Sequence, residues 1–181
     1  FNGVYYPDNG PLGWFSAGDT PDYYMTCLGS GALTGVPLNR FAFQYPQDGE
    51  SYVGMITYYP NDLREYFMTQ LVQPLVVGQR YYVSFYANAA WDGYPIFPLA
   101  WLYSNGIGAV FTTQSRQWEL GDPTRVALNY AHVYTEEIVT DTADWTLVSG
   151  SFVADSAYQY VMLGNHFNNA NTDTLHIIDH I

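Results

Sequence analysis

Residues Arg80 to Ala89, RYYVSFYANA, alternate without a break. Tyr81, Val83, Phe85 and Ala87 fall on one side of an extended chain, and Tyr82, Ser84, Tyr86 and Asn88 on the other. A period of two, carried by aromatic and β-branched residues, specifies a strand with one apolar face. Trp145 to Val153 repeats the pattern: Trp145, Leu147, Ser149, Ser151 and Val153 oppose Thr146, Val148, Gly150 and Phe152. Two such ribbons must cover their apolar faces with a second layer, which points to a β-sandwich.

The rest of the chain agrees. Residues 1–39 are rich in Gly, Pro, Asp and Asn and read as loop with short strands. Phe41 to Tyr45 and Ser51 to Tyr59 read as strands across the turn Gln47–Glu50, and Arg64 to Leu71 as one helical turn or an edge strand. Ile107 to Thr113, Tyr158 to Leu163 and Leu175 to Ile181 are further strands, with loops at Gln114 to Asn129 and His166 to Thr174. Trp91 to Tyr103 carries two prolines and reads as a loop insertion, because Pro is excluded from central strands. The expectation is one all-β domain over residues 1–181, an antiparallel jelly-roll sandwich of about eight strands with long aromatic loops. No repeat of solenoid or propeller period is present.

Charge narrows the partners. The chain has no Lys; Arg40, Arg64, Arg80, Arg116 and Arg125 face seventeen carboxylates, for a net charge of -12. Nucleic acid is bound by neutralising phosphates with Lys and Arg, so it is excluded as a partner, and anionic membrane surfaces are disfavoured. No apolar run is long enough to span a bilayer, and no leader is visible, so the chain reads as a mature product or a fragment. An acidic, Tyr-rich chain of this kind suits an exported protein that meets a flat or hydroxyl-rich partner, since Tyr joins an apolar ring to a polar tip. Cys27 is the single cysteine. It reads as a small buried hydrophobe, or as the partner of a cysteine outside this chain.

Catalytic signatures are missing. Glu65, Asp92, Glu136 and Glu137 are candidate carboxylates, but no spacing pairs them as an acid and base, and Arg64-Glu65 reads as a structural ion pair or an edge contact. Neither a nucleophile elbow nor an H-E-x-x-H zinc motif occurs. Sugar binding is better served. Trp91, Tyr94, Phe97, Trp101 and Tyr103 crowd one loop, with Asp92 and Asn88 beside them. Such rings could stack on pyranose faces while the polar groups bond hydroxyls; the same rings could equally form the loop's own small core. Trp118, near Arg116 and Glu119, is a second candidate, whereas Trp14 and Trp145 read as core.

Two blocks carry a family likeness: Leu71 to Ala89, LVQPLVVGQRYYVSFYANA, and Asp144 to Gly164, DWTLVSGSFVADSAYQYVMLG, followed by Leu175-His176-Ile177-Ile178-Asp179. They resemble the galactose-binding-like jelly rolls shared by many carbohydrate-binding modules. Gly13-Trp14, Thr20-Pro21-Asp22-Tyr23-Tyr24, Gly35-Val36-Pro37, Asn39, Ser51-Tyr52-Val53-Gly54, Arg64-Glu65-Tyr66 and Leu163-Gly164-Asn165 look like one family of Bacteroidetes exported surface proteins. Some of those domains are linked to peptidoglycan-binding domains, others to type nine secretion or gliding-motility signals. The resemblance implies a jelly roll, export to the cell surface, and a structural calcium held by Asp179 with Asp48 or Glu50. It also implies an opening strand that Phe1 lacks, which leaves a sheet edge available for self-association.

These readings converge on a non-catalytic extracellular binding or adhesion module, with carbohydrate as the ligand class. A self-assembling subunit of an extracellular filament or surface layer is the alternative, and a glycan hydrolase the third.

Overall fold

A computed structural model describes residues 11–93, 102–118 and 127–176. Its strands are β1 (Trp14–Gly18), β2 (Asp22–Met25), β3 (Ser51–Gly54), β4 (Tyr66–Gln70), β5 (Arg80–Ala87), β6 (Leu102–Ser104), β7 (Ile107–Thr112), β8 (Val133–Tyr134), β9 (Thr146–Val153), β10 (Tyr160–Asn165) and β11 (Thr174–His176). The described residues contain no α-helix, only short 3-10 turns. No helix among them is long and apolar enough to cross a membrane.

The two alternating stretches pair with each other. β5 and β9 run antiparallel in unbroken register from Arg80↔Val153 to Ala87↔Thr146. Their inner face (Val83, Phe85, Ala87, Val148 and Phe152) packs on Ile107 of β7 and Val133 of β8. Phe111 and Phe152 meet across this layer with ring centroids 4.8 Å apart. Gly150 lets the layers close, because a Cβ there would lie 3.1 Å from Val133 Cγ1.

The facing layer is a five-stranded antiparallel sheet in the order β1-β4-β10-β7-β8. Three small pairings, β2–β3, β6–β11 and β5–β9, complete the sandwich-like all-β fold. Met68 and Met162 pair in register and sit with Ala17 and Tyr66 in a second core, against which Trp118 packs. Trp14, expected in the core, is half-buried and stacks on Phe67 with centroids 4.9 Å apart.

Four local expectations are corrected. Arg64 to Leu71 yields an interior strand: β4 lies between β1 and β10, and Tyr66, Phe67 and Met68 are all buried. Phe41 to Tyr45 forms isolated bridges only, because the Asn39 side chain accepts the Phe41 and Ala42 amides and bends the chain there. The strand starting at Ser51 stops at Gly54 instead of reaching Tyr59. Cys27 is exposed on a 3-10 turn, not buried.

Arg64 and Glu65 do not pair either. Neighbouring residues of an extended chain point to opposite faces. Arg64 donates to Leu63 O and Asn169 Oδ1 and lies over the Tyr58 ring, whereas Glu65 accepts from Thr20 Oγ1 and the Ile56 amide.

Candidate functional site

Asn39 starts the construction of the site. Its Oδ1 takes the amides of Phe41 and Ala42, and its Nδ2 donates to Tyr52 Oη at 2.6 Å. The chain then runs extended past Trp91: the Phe43 amide donates to Trp91 O at 2.8 Å, and Ala42 bridges Asp92. Alternation buries Ala42 and Gln44 and turns Phe43 and Tyr45 outward. Asp92 adopts φ 58°, and Gly93 follows because a Cβ at that position would sit 2.5 Å from the Phe41 carbonyl carbon.

The opposite wall comes from the turn before β9. Asp141 Oδ1 accepts the Ala143 and Asp144 amides, which hold its carboxyl below the usual range. Buried Gln44 donates to Tyr45 O and Ala143 O, and Trp145 Nε1 donates to Tyr45 O at 2.9 Å. Trp145 also meets Tyr52 edge-on. The Tyr45 backbone is therefore clamped while its ring stays 61% exposed; Phe43 is 46% and Trp91 38% exposed.

The product is a cleft of about 340 Å³ between Phe43, Tyr45, Trp91 and Asp92 on one side and Thr142 and Ala143 on the other, with Gln44 at its base. Phe43 and Tyr45 meet edge-on with ring centroids 5.9 Å apart and, with Trp91, line the cleft with apolar ring surface, while a carboxylate and a hydroxyl offer hydrogen bonds. Large exposed rings gathered around one concavity mark a place where a partner replaces water.

The candidates from the sequence divide. Trp91 and Asp92 are brought together in this cleft. Asn88 stands beside it with its amide committed to Asp141 O and Asp144 O, so it positions the wall. Tyr103 is buried with Ala89 and Val139 and presents no ring face at the surface. Trp118 is half-buried against Tyr66, with Arg116 above its ring, at the end of a separate polar hollow of about 380 Å³. Asp48 and Glu50 are exposed on the turn before β3, and Glu136 and Glu137 are exposed before β9. Tyr94, Trp101 and Asp179 lie outside the described residues. Among the described residues, no three His, Cys, Asp or Glu side chains gather where they could hold a metal.

Sequence reasoning missed Phe43, Tyr45 and Thr142. Phe43 and Tyr45 were visible as the outward half of an alternating stretch, but nothing in the sequence placed that stretch beside Trp91. A carboxylate pair was missed as well. Burial pushes Glu65 up to about 7, against hydrogen bonds from Ile56 and Thr20, and the charge of Asp22 adds to the rise. Asp22 is itself raised by burial, against a hydrogen bond from Tyr24. Tyr24, 3% exposed and stacked on Tyr52, donates to Asp22 Oδ2, and Glu65 is buried while Asp22 is half-buried.

No protein-family model, curated protein or solved structure matches this chain.

Proposed function

We propose that this protein is a non-catalytic carbohydrate-binding module of jelly-roll type, exported and displayed outside the cell. The observation that carries the reading is the cleft in which Phe43, Tyr45 and Trp91 expose their rings around Asp92. A pyranose has an apolar C–H face that suits a ring and a rim of hydroxyls that suits Asp92 and Thr142. The net charge of -12 supports an uncharged sugar over a polyanion. The burial of Glu65, which accepts from the Ile56 amide and Thr20 Oγ1, supports a structural role for that carboxyl over a catalytic one.

A glycan array followed by calorimetry tests this. Trp91→Ala is expected to weaken binding roughly tenfold or more, in keeping with the weight that buried aromatic anchors carry in recognition. Because Trp91 is partly exposed, the variant should unfold at nearly the wild-type urea concentration. Undiminished binding in a folded Trp91→Ala protein, or a blank array at high protein concentration, would sink the proposal.

A further inference from the structure

The outward face of the β5–β9 pair carries Arg80, Tyr82, Ser84 and Tyr86 on one strand and Leu147, Ser149, Ser151 and Val153 on the other. Tyr82 is 68% exposed and Tyr86 45%, and Leu147 and Val153 are about half exposed. No carboxylate stands among these eight positions, although the chain has seventeen. Nothing in the inner packing requires rings here, because the core contacts of both strands are made by the alternate residues.

This face runs into the cleft. Asn88, the next outward position after Tyr86, ties down Asp141 and Asp144, and the turn between them supplies Thr142 and Ala143 to the cleft wall. Trp91 follows a few residues beyond the end of β5. The ladder of tyrosines therefore ends where the cleft opens.

Dimensions decide what fits. Two strands make a strip about 10 Å wide, and the eight residues of β5 make it about 26 Å long, from the spacing and rise of β-strands. That is a planar footprint of about 260 Å², the long, narrow shape of one extended chain and not the broad patch that a globular partner covers. A second copy of this chain, or another globular protein, is poorly held by so narrow a strip. One extended polymer chain matches its width. Tyr82 and Tyr86 stand about 13 Å apart along the strand, as two platforms with Ser84, Ser149 and Ser151 as hydroxyl partners between and beside them.

We infer that the β5–β9 outer face extends the cleft into a track for a single linear, uncharged polysaccharide, with Tyr86 and Tyr82 as its outer stacking positions. The inference rests on the carbohydrate reading of the cleft and adds the class of ligand: a chain several sugars long, not a terminal monosaccharide.

Ladders of cello-, xylo- and chito-oligosaccharides, from the disaccharide upward, are titrated into the protein, alongside anionic alginate oligosaccharides. In the ladder that binds, the longest member is expected to bind roughly tenfold or more tightly than the disaccharide, as stacking on two further rings warrants. Tyr82→Ala/Tyr86→Ala should lose that gain and keep the disaccharide affinity, while Tyr82→Phe/Tyr86→Phe, which keeps both rings, should retain most of it. Both side chains are exposed, so the variants are expected to fold, and circular dichroism checks this. Disaccharide binding that depends on Trp91 but does not grow with length, or growth that survives the alanine pair, overturns the track and leaves the cleft reading standing. Preference for alginate also overturns it. Failure of every ladder sinks the cleft reading and the track together. A concentration-dependent dimer in sedimentation that the alanine pair abolishes would assign the strip to a second copy and overturn the inference.

Discussion

Replacing Glu65 by Gln is expected to unmask a steep loss of stability in acid that the wild-type protein hides. Burial raises Glu65 to about 7 in the folded protein, from an ordinary value of 4.5. Between these values the folded state holds a proton that the unfolded state has released, so this group makes stability fall as pH rises from 4.5 to 7. His166 does the opposite. It is fully buried, stacked on Tyr66 and bonded to Met162 O, and burial lowers it from 6.5 to about 4. Between 4 and 6.5 the unfolded state binds the extra proton, so His166 makes stability rise with pH across that window.

Each shift corresponds to roughly 3 kcal/mol over its window, at 1.36 kcal/mol per pKa unit. The two slopes cancel between 4.5 and 6.5. Urea denaturation from acid to mildly alkaline pH should therefore show a wild-type profile flatter in that range than that of either single variant. Glu65→Gln should climb from pH 4 to 6.5 and then flatten, and His166→Gln should decline from 4.5 to 7. Parallel profiles for all three proteins would show that neither group is held as the structure holds it.

Gly164→Ala is expected to destabilise the protein by about 2–5 kcal/mol, the sum of backbone strain and overpacking. Gly164 has φ +150°, and a Cβ there would lie 2.6 Å from Tyr66 Cδ1 and 2.9 Å from Glu65 O. The neighbour cannot give way. Tyr66 is buried, stacks on His166 and donates to Asn165 O. Asn165, fully buried, in turn donates to Thr57 O and Thr172 Oγ1 and accepts the Phe167 amide. Gly78→Ala is the control: its φ is also positive, at +83°, but nothing lies within 4 Å. It should cost about 1 kcal/mol, the price of the left-handed backbone alone. Equal losses in the two variants would mean that the contact with Tyr66 is not rigid.

Several of the residues that carry the family likeness meet around these same groups. Thr20, Asp22 and Tyr24 meet Glu65 at the junction of β2 with β4, and Gly54 passes so close to Tyr24 that a Cβ would lie 2.6 Å from its ring. Tyr52 stacks on Tyr24 and receives the Asn39 amide. Gly164 and Asn165 close on Tyr66. These positions form a scaffold that braces the turn at Asn39, and that turn aims Phe43 and Tyr45 into the cleft.

Alternation alone determined β5 and β9, their inner and outer faces, and the need for a covering layer, because side-chain direction in an extended chain depends only on sequence parity. The charge balance alone set the expectation of a partner other than a polyanion. Tertiary structure decided the rest. It made Arg64 to Leu71 an interior strand, since an edge and a centre differ in what pairs on either side and not in composition. It separated Arg64 from Glu65, buried Tyr103, and brought Phe43 and Tyr45 to Trp91 across some fifty residues of chain. A binding cleft is a property of which loops meet, and loop meeting is set by long-range packing that no local pattern of residues encodes.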